Sequence, residues 1–150
     1  GTQRVPLPGE TLAARPGLTR FEGRRVVLGI RPEDLDDSAL AEETLPKLRG
    51  TVRLREALGS EVMVHLEIDA RPAETDETRE LAHDRGESPQ QEAAANAVVV
   101  GRYSPRTRVR EGEGAEAAVE TRALHFFDPE TGLGIYDGND QETQEKGARP

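Results

Sequence analysis

The sequence predicts an all-β fold, a small antiparallel barrel or sandwich, and three observations carry that expectation. From Gly50 to Ile68 apolar and polar residues alternate on both sides of Gly59-Ser60, as in a hairpin with one buried face. Further short apolar runs, at Val98 to Val100, Ala115 to Thr121 and Leu124 to Phe127, are separated by glycine and proline turns. No stretch sustains the apolar spacing of a long helix.

Taken in order, Thr2 to Leu12 alternates loosely but carries Pro6 and Pro8, so it reads as an edge strand or irregular arm turning at Gly9. Arg15 to Arg25, with Pro16, Gly17 and Gly23 around Phe21, reads as a loop that closes onto a strand from Arg25 to Arg31. Pro32 donates no backbone hydrogen bond and pushes Arg31 towards an extended conformation. The ladder of this buried strand should therefore end at Ile30 or Arg31 and present Glu33 and Asp34 at the surface. The plainest reading of Arg31 and Glu33 is an exposed ion pair at a strand end. Asp36 to Glu43 suits a short helix capped by Asp36 or Asp37, or an acidic loop.

In the hairpin, Val52 and Leu54 alternate with Arg53 and Arg55, and Val62, Val64, Leu66 and Ile68 with Met63, His65 and Glu67. Gly59 suits a tight primed turn because glycine takes positive φ without a Cβ clash. His65 falls on the polar face with no second ligand at a metal-binding spacing, so it is read as a solvated strand residue.

Asp69 to Asn96 breaks the pattern: it has no aromatic, contains Pro72 and Pro89, and carries eight acids against three arginines. Such a segment cannot bury enough apolar surface to offset the entropy of ordering it, and it reads as a mobile acidic insertion with a helical turn at Thr78 to Ala82. Strand pattern resumes at Ala97 to Tyr103, where Val98-Val99-Val100 suggests burial on both faces and Gly101 a bulge. Thr107 and Val109 alternate with Arg106, Arg108 and Arg110, a solvated stripe that turns at Glu111 to Gly114 into Ala115 to Thr121. Gly112-x-Gly114-x-x-Ala117 lacks the βαβ surroundings of a dinucleotide site and is read as a hairpin turn. Asp128-Pro129-Glu130-Thr131-Gly132 forms a turn with proline at its second position, from which Leu133 to Tyr136 pairs back. Asp137 to Asp140 lacks the later ligands of a calcium loop, and residues 138–150 read as a disordered tail after a domain spanning 1–137.

Composition narrows the function. The 150 residues are 34% hydrophobic and 33% charged with five aromatics, enough for one modest core. A net charge of -9 argues against nucleic acid, whose binding draws on a basic surface. The gap in aromatics between Phe21 and Tyr103 removes the stacking platform single strands use. Without cysteine there is no disulfide, thiol nucleophile or thiolate metal site. No apolar run approaches the roughly 20 residues of a membrane helix. No Gly-x-x-x-x-Gly-Lys-[Ser/Thr] loop is present, so this stretch should not hydrolyse ATP, and no serine stands in a nucleophile-elbow pattern. No catalytic, cofactor-binding or metal-binding residue is assigned.

Three stretches add a resemblance. Leu28-Gly29-Ile30-Arg31-Pro32-Glu33-Asp34, Leu58-Gly59-Ser60-Glu61 and Leu124-His125-Phe126-Phe127-Asp128-Pro129-Glu130-Thr131-Gly132 resemble, in the same order, the recurrent motifs of one family. It is the C-terminal regulatory (TOBE, OB-like) domain of ATP-binding subunits in carbohydrate-importing ABC transporters of the maltose type. The likeness runs from about Val26 to Tyr136 and lapses between Asp69 and Asn96. It sharpens the fold to OB-like barrels in tandem and implies a non-catalytic regulatory and dimerisation domain supporting ATP-driven sugar uptake. By the same resemblance Arg31, Pro32, Glu33, Gly59, Glu61, Phe126 and Asp128 are regulatory or interface residues. ATP and magnesium would belong to a separate nucleotide-binding domain. The implied partners are that domain, a second copy of the subunit, the transporter's membrane subunits indirectly and a regulatory protein, at the cytoplasmic face of the plasma membrane. The alternative class is a free-standing OB-like module that binds a small ligand.

Overall fold

The alternation at the centre of the chain folds as it reads. Strands β3 (Lys47–Ala57) and β4 (Val62–Ile68) form an antiparallel hairpin, with Ala57 opposite Val62 and Gly50 opposite Ile68. Along β4 every second residue is buried, so Val62, Val64, Leu66 and Ile68 face the core. At the tip the Leu58 N–H donates to the Glu61 carbonyl at 2.9 Å, and Gly59 takes φ +82°. No other residue of this tip has positive φ, as in a primed turn with its special conformation at the first central position. One expectation fails here. The register shifts between Val52 and Leu54, the extra residue of a bulge rotates the strand, and Leu54 lies 41% exposed.

A computed structural model describes residues 1–74, 80, 83–86, 88 and 95–136, and all that follows concerns those residues. Of the expected helical turn at Thr78 to Ala82 only Glu80, which is helical, is among them, and the rest of that turn, half of the acidic insertion and the tail at 138–150 lie outside them.

Two sheets are present. The larger has five antiparallel strands in the order β2-β6-β3-β4-β5, with β2 Leu35–Asp37, β5 Ala97–Tyr103 and β6 Gly114–Val119. The smaller is a ribbon of β1 (Val27–Gly29) and β7 (His125–Phe127), with Leu28 opposite Phe126. The larger sheet curls until its two edge strands meet. A Cβ on Gly101 of β5 would lie 3.2 Å from the Leu35 Cβ of β2, and the Thr107 hydroxyl donates to Asp37 Oδ2 at 2.5 Å. This seam is made by side chains, because no backbone ladder joins β2 to β5. The fold is thus all-β and OB-like, one half-barrel plus a ribbon in place of two tandem barrels.

The curl encloses Val52, Val64, Leu66, Tyr103 and Val119, which with Leu35 and Leu124 are the largest fully buried side chains. Val5, Leu7, Leu18 and Phe21 of the first segment pack against this core. That segment is an irregular arm. In place of a turn at Gly9 it forms a short helix α1 (Gly9–Ala13), followed by a 3-10 helix, Pro16–Phe21. The Gln3 side-chain amide acts as a strand would, donating to the Arg49 carbonyl at 2.9 Å and accepting from its N–H at 3.0 Å just beyond the end of β4.

Other expectations are corrected. β1 is three residues long, ends at Gly29 rather than at Ile30 or Arg31, and is half-exposed, with Leu28 at 38%. A two-stranded ribbon covers only one face of its members. Asp36 to Glu43 holds no helix: Leu35 and Asp37 point inward on β2, and a turn follows with Leu40 and Ala41 N–H groups on the Asp37 carbonyl. Val98 is 51% exposed because it lies on the outer face of the curled sheet, opposite the inward Gly101 and Tyr103, and Gly101 pairs in register with Val64 without a bulge. Gly101 is instead a site of close approach, since a Cβ there would fall 2.5 Å from the Tyr103 ring. Thr107 is buried and Val109 half-buried as the alternation implies, with Arg106, Arg108 and Arg110 exposed, although this stretch is not a strand.

Candidate functional site

The seven residues singled out by motif fall into three places. Pro32 opens a one-turn 3-10 helix, Pro32–Asp34, and its fixed φ suits that first position. The turn is closed by the Asp34 N–H on the Arg31 carbonyl at 2.9 Å, and it packs against β5. Arg31 and Glu33 are exposed on this corner. The expected ion pair between them is absent: among the described residues neither side chain has a hydrogen bond or ion pair. A rigid turn therefore holds two opposite charges at the surface, two residues apart and each open to a partner.

Gly59 and Glu61 occupy the β3–β4 tip. Gly59 shapes the turn, and a Cβ there would meet no atom within 4 Å, so its role is conformational rather than steric. Glu61 reaches across to β5, with Oε2 3.3 Å from Arg102 Nε, a half-exposed pair of small energetic weight.

Phe126 and Asp128 belong to β7 and its turn. Phe126 is 5% exposed and belongs to the core, and the Arg15 guanidinium sits 5.9 Å from its ring centroid. Asp128 organises the turn: its carbonyl accepts from Gly132 N–H at 2.8 Å and its Oδ1 from Glu130 N–H at 2.8 Å. Its own N–H donates to the Leu133 carbonyl at 2.9 Å, and Ile135 N–H reaches Phe126 at 2.7 Å, so Leu133 to Tyr136 does pair back. No hydrogen bond or ion pair among the described residues joins these three places. Gly59 and Phe126 hold the fold, Asp128 spends its carbonyl and one carboxylate oxygen on its turn, and Arg31 and Glu33 have side chains wholly free to contact something else.

Other residues were not singled out as a site. Asp37 is 5% exposed, receives the Thr107 hydroxyl on one oxygen and Ala39 N–H at 2.9 Å on the other, and so completes the seam. The sequence marked it only as a possible helix cap, and its distant partner Thr107 showed only as an inward position in the arginine stripe. Tyr103 is buried beside it. Burial first, and then the charges of Asp37 and Asp36, raise the Tyr103 phenol well above its ordinary range. His65 contacts Glu56 at 3.1 Å, and among the described residues no group of histidines and carboxylates could hold a metal. No helix among them is long and apolar enough to cross a membrane.

Residues 28–100 match the TOBE domain family, a span from β1 into β5. The trehalose/maltose import ATP-binding protein of Thermococcus litoralis is 30% identical over 119 residues, 77% of this chain and 25% of its own length. The oligosaccharides import ATP-binding protein of Bacillus subtilis is 26% identical over 117 residues, again 77% of this chain and 25% of its own. The chain thus spans about a quarter of the length of these relatives. The order of motifs, the curled antiparallel sheet and these matches agree: residues 28–100 form a TOBE domain, in a chain homologous to the ATP-binding proteins of sugar importers.

Proposed function

We propose that this chain is the non-catalytic regulatory and dimerisation domain at the C-terminal end of the ATP-binding subunit of a carbohydrate-importing ABC transporter. The observation that carries this reading is the match of 119 and 117 residues of this chain to one quarter of two ATP-binding import proteins, with no phosphate-binding loop in the sequence. Nucleotide and magnesium would then be held by a separate domain of the same subunit, which would work at the cytoplasmic face of the membrane against the transporter's membrane subunits. Within the domain, the Arg31-Pro32-Glu33 corner is the docking element, towards the nucleotide-binding domain, a second copy of the subunit or a regulatory protein. Two unpaired charges on a rigid turn suit such recognition, because little side-chain or backbone order must be added when the partner arrives.

The 150-residue chain titrated with ATP and magnesium should give no saturable heat, and micromolar binding would favour a free-standing ligand-binding module instead. In the complete subunit, Arg31→Ala and Glu33→Ala should leave nucleotide binding intact while changing the coupling of ATP hydrolysis to transport. Unchanged ATPase and transport rates in both variants would remove the corner from the mechanism.

A further inference from the structure

The ribbon register sets a second feature. Val27 lies opposite Phe127, so the chain entering β1 through Arg24 and Arg25 runs past the chain leaving β7 through Asp128, Pro129 and Glu130. Between them is a cleft of about 450 Å³ lined by these five residues and Phe21. Its two walls carry opposite charge. Unlike charges so placed would be expected to pair, yet no ion pair among the described residues links either arginine to either carboxylate.

The Arg24 guanidinium is held over the Phe21 ring, 5.3 Å from its centroid. Stacking orients the planar group and leaves its edge of N–H donors without an acceptor. Arg25 is exposed and also has no acceptor. Opposite, one Asp128 oxygen is taken by the Glu130 N–H while the Glu130 carboxylate has no donor. Phe21 and Pro129 add apolar surface. Two arginines lining one wall of the cleft suit a phosphate dianion, which guanidinium groups hold through charge-assisted bonds. The carboxylates would repel a bare anion but accept hydrogen bonds from hydroxyl groups held away from it.

We propose that this cleft binds a phosphate monoester of a sugar, with the phosphate on Arg24 and Arg25 and the hydroxyls on Asp128 and Glu130. The site is separate from the Arg31 corner, and its ligand is not the nucleotide of the subunit.

Calorimetric titration of the 150-residue chain with glucose 6-phosphate, inorganic phosphate and glucose tests it. Glucose 6-phosphate should bind saturably, and phosphate or glucose alone at least about tenfold more weakly. The double variant Arg24→Gln, Arg25→Gln should lose binding of the ester by about tenfold or more. The double variant Asp128→Asn, Glu130→Gln keeps the Oδ1 acceptor that the turn uses, and it should shrink the preference for the ester over free phosphate. Arg31→Ala should bind as the parent chain does, which separates this site from the docking corner. No saturable binding of the ester at millimolar concentrations, equal binding of free phosphate, or full binding by the arginine double variant would each overturn the assignment.

Discussion

Arg31 and Glu33 stand two residues apart on one turn and do not touch, so their value to the isolated domain should be small. Arg31→Ala and Glu33→Ala are each expected to change the unfolding free energy by no more than about 0.5 kcal/mol, as for exposed groups without partners. A larger loss in denaturant titration would mean that each has an intramolecular partner in solution. Gly101 is the contrary case. It is buried, and an alanine there would press on the Tyr103 ring and on Leu35, neither of which has room to move. Gly101→Ala should cost about 1–3 kcal/mol, the usual cost of overpacking, measured by the same titration. Such single-residue facts were only half legible. A glycine inside a strand pattern signals a bulge or a close approach with equal force, and the ring two residues on decides between them. The charged corner was legible because proline fixes its backbone locally, while the missing Arg31–Glu33 pair depends on rotamers that no pattern reveals.

Elements were readable where one face repeats. The β3–β4 hairpin follows from alternation alone, whereas β2 hides an aspartate among its buried residues and reads as a helix cap or loop. Asp37 is tolerated inside because Thr107, 70 residues later, supplies a donor, and a partner so distant leaves no local mark. Thr107→Val should therefore leave a buried carboxylate oxygen unsatisfied and cost about 2–3 kcal/mol. A loss under half that, by chemical denaturation, would show that water replaces the hydroxyl. The hairpin also carries a pH dependence. Glu67 accepts from Arg53 at 2.6 and 2.8 Å and from Asn96 at 3.4 Å, and these bonds, Arg53's first, hold its carboxyl below the ordinary 4.5. A depressed folded value stabilises the fold fully above that ordinary value, and the gain disappears as pH falls through the folded value. Glu67→Gln should thus weaken the fall in melting temperature below about pH 4.5. An acid limb identical to that of the parent chain would show that the pair contributes nothing in solution.

For the whole molecule, the place of the acidic insertion decides what can be removed. Ile68 pairs with Ala97, and the Ala97 N–H donates to the Ala70 carbonyl at 2.9 Å, so the ladder itself brings the ends of the insertion together. Replacing residues 71–95 by a short Gly-Ser link should preserve one cooperative thermal transition. A broad or absent transition would show that the segment belongs to the core. The curl was expected from the inventory of strands and from the resemblance, whereas the contacts that close it, Gly101 against Leu35 and Thr107 on Asp37, were not legible because they join residues distant in the chain.

That seam also bears on time. The Thr107–Asp37 contact spans 70 residues and ties edge strand β2 to the segment that follows the other edge strand, β5, in a sheet whose order places β6, β3 and β4 between the two. A side-chain contact that closes on ladders already paired is expected to form late on the folding path. Loss of the Thr107 hydroxyl should therefore accelerate unfolding while leaving the refolding rate nearly unchanged. The working lifetime of the domain would then be set by how long its side-chain seam stays shut.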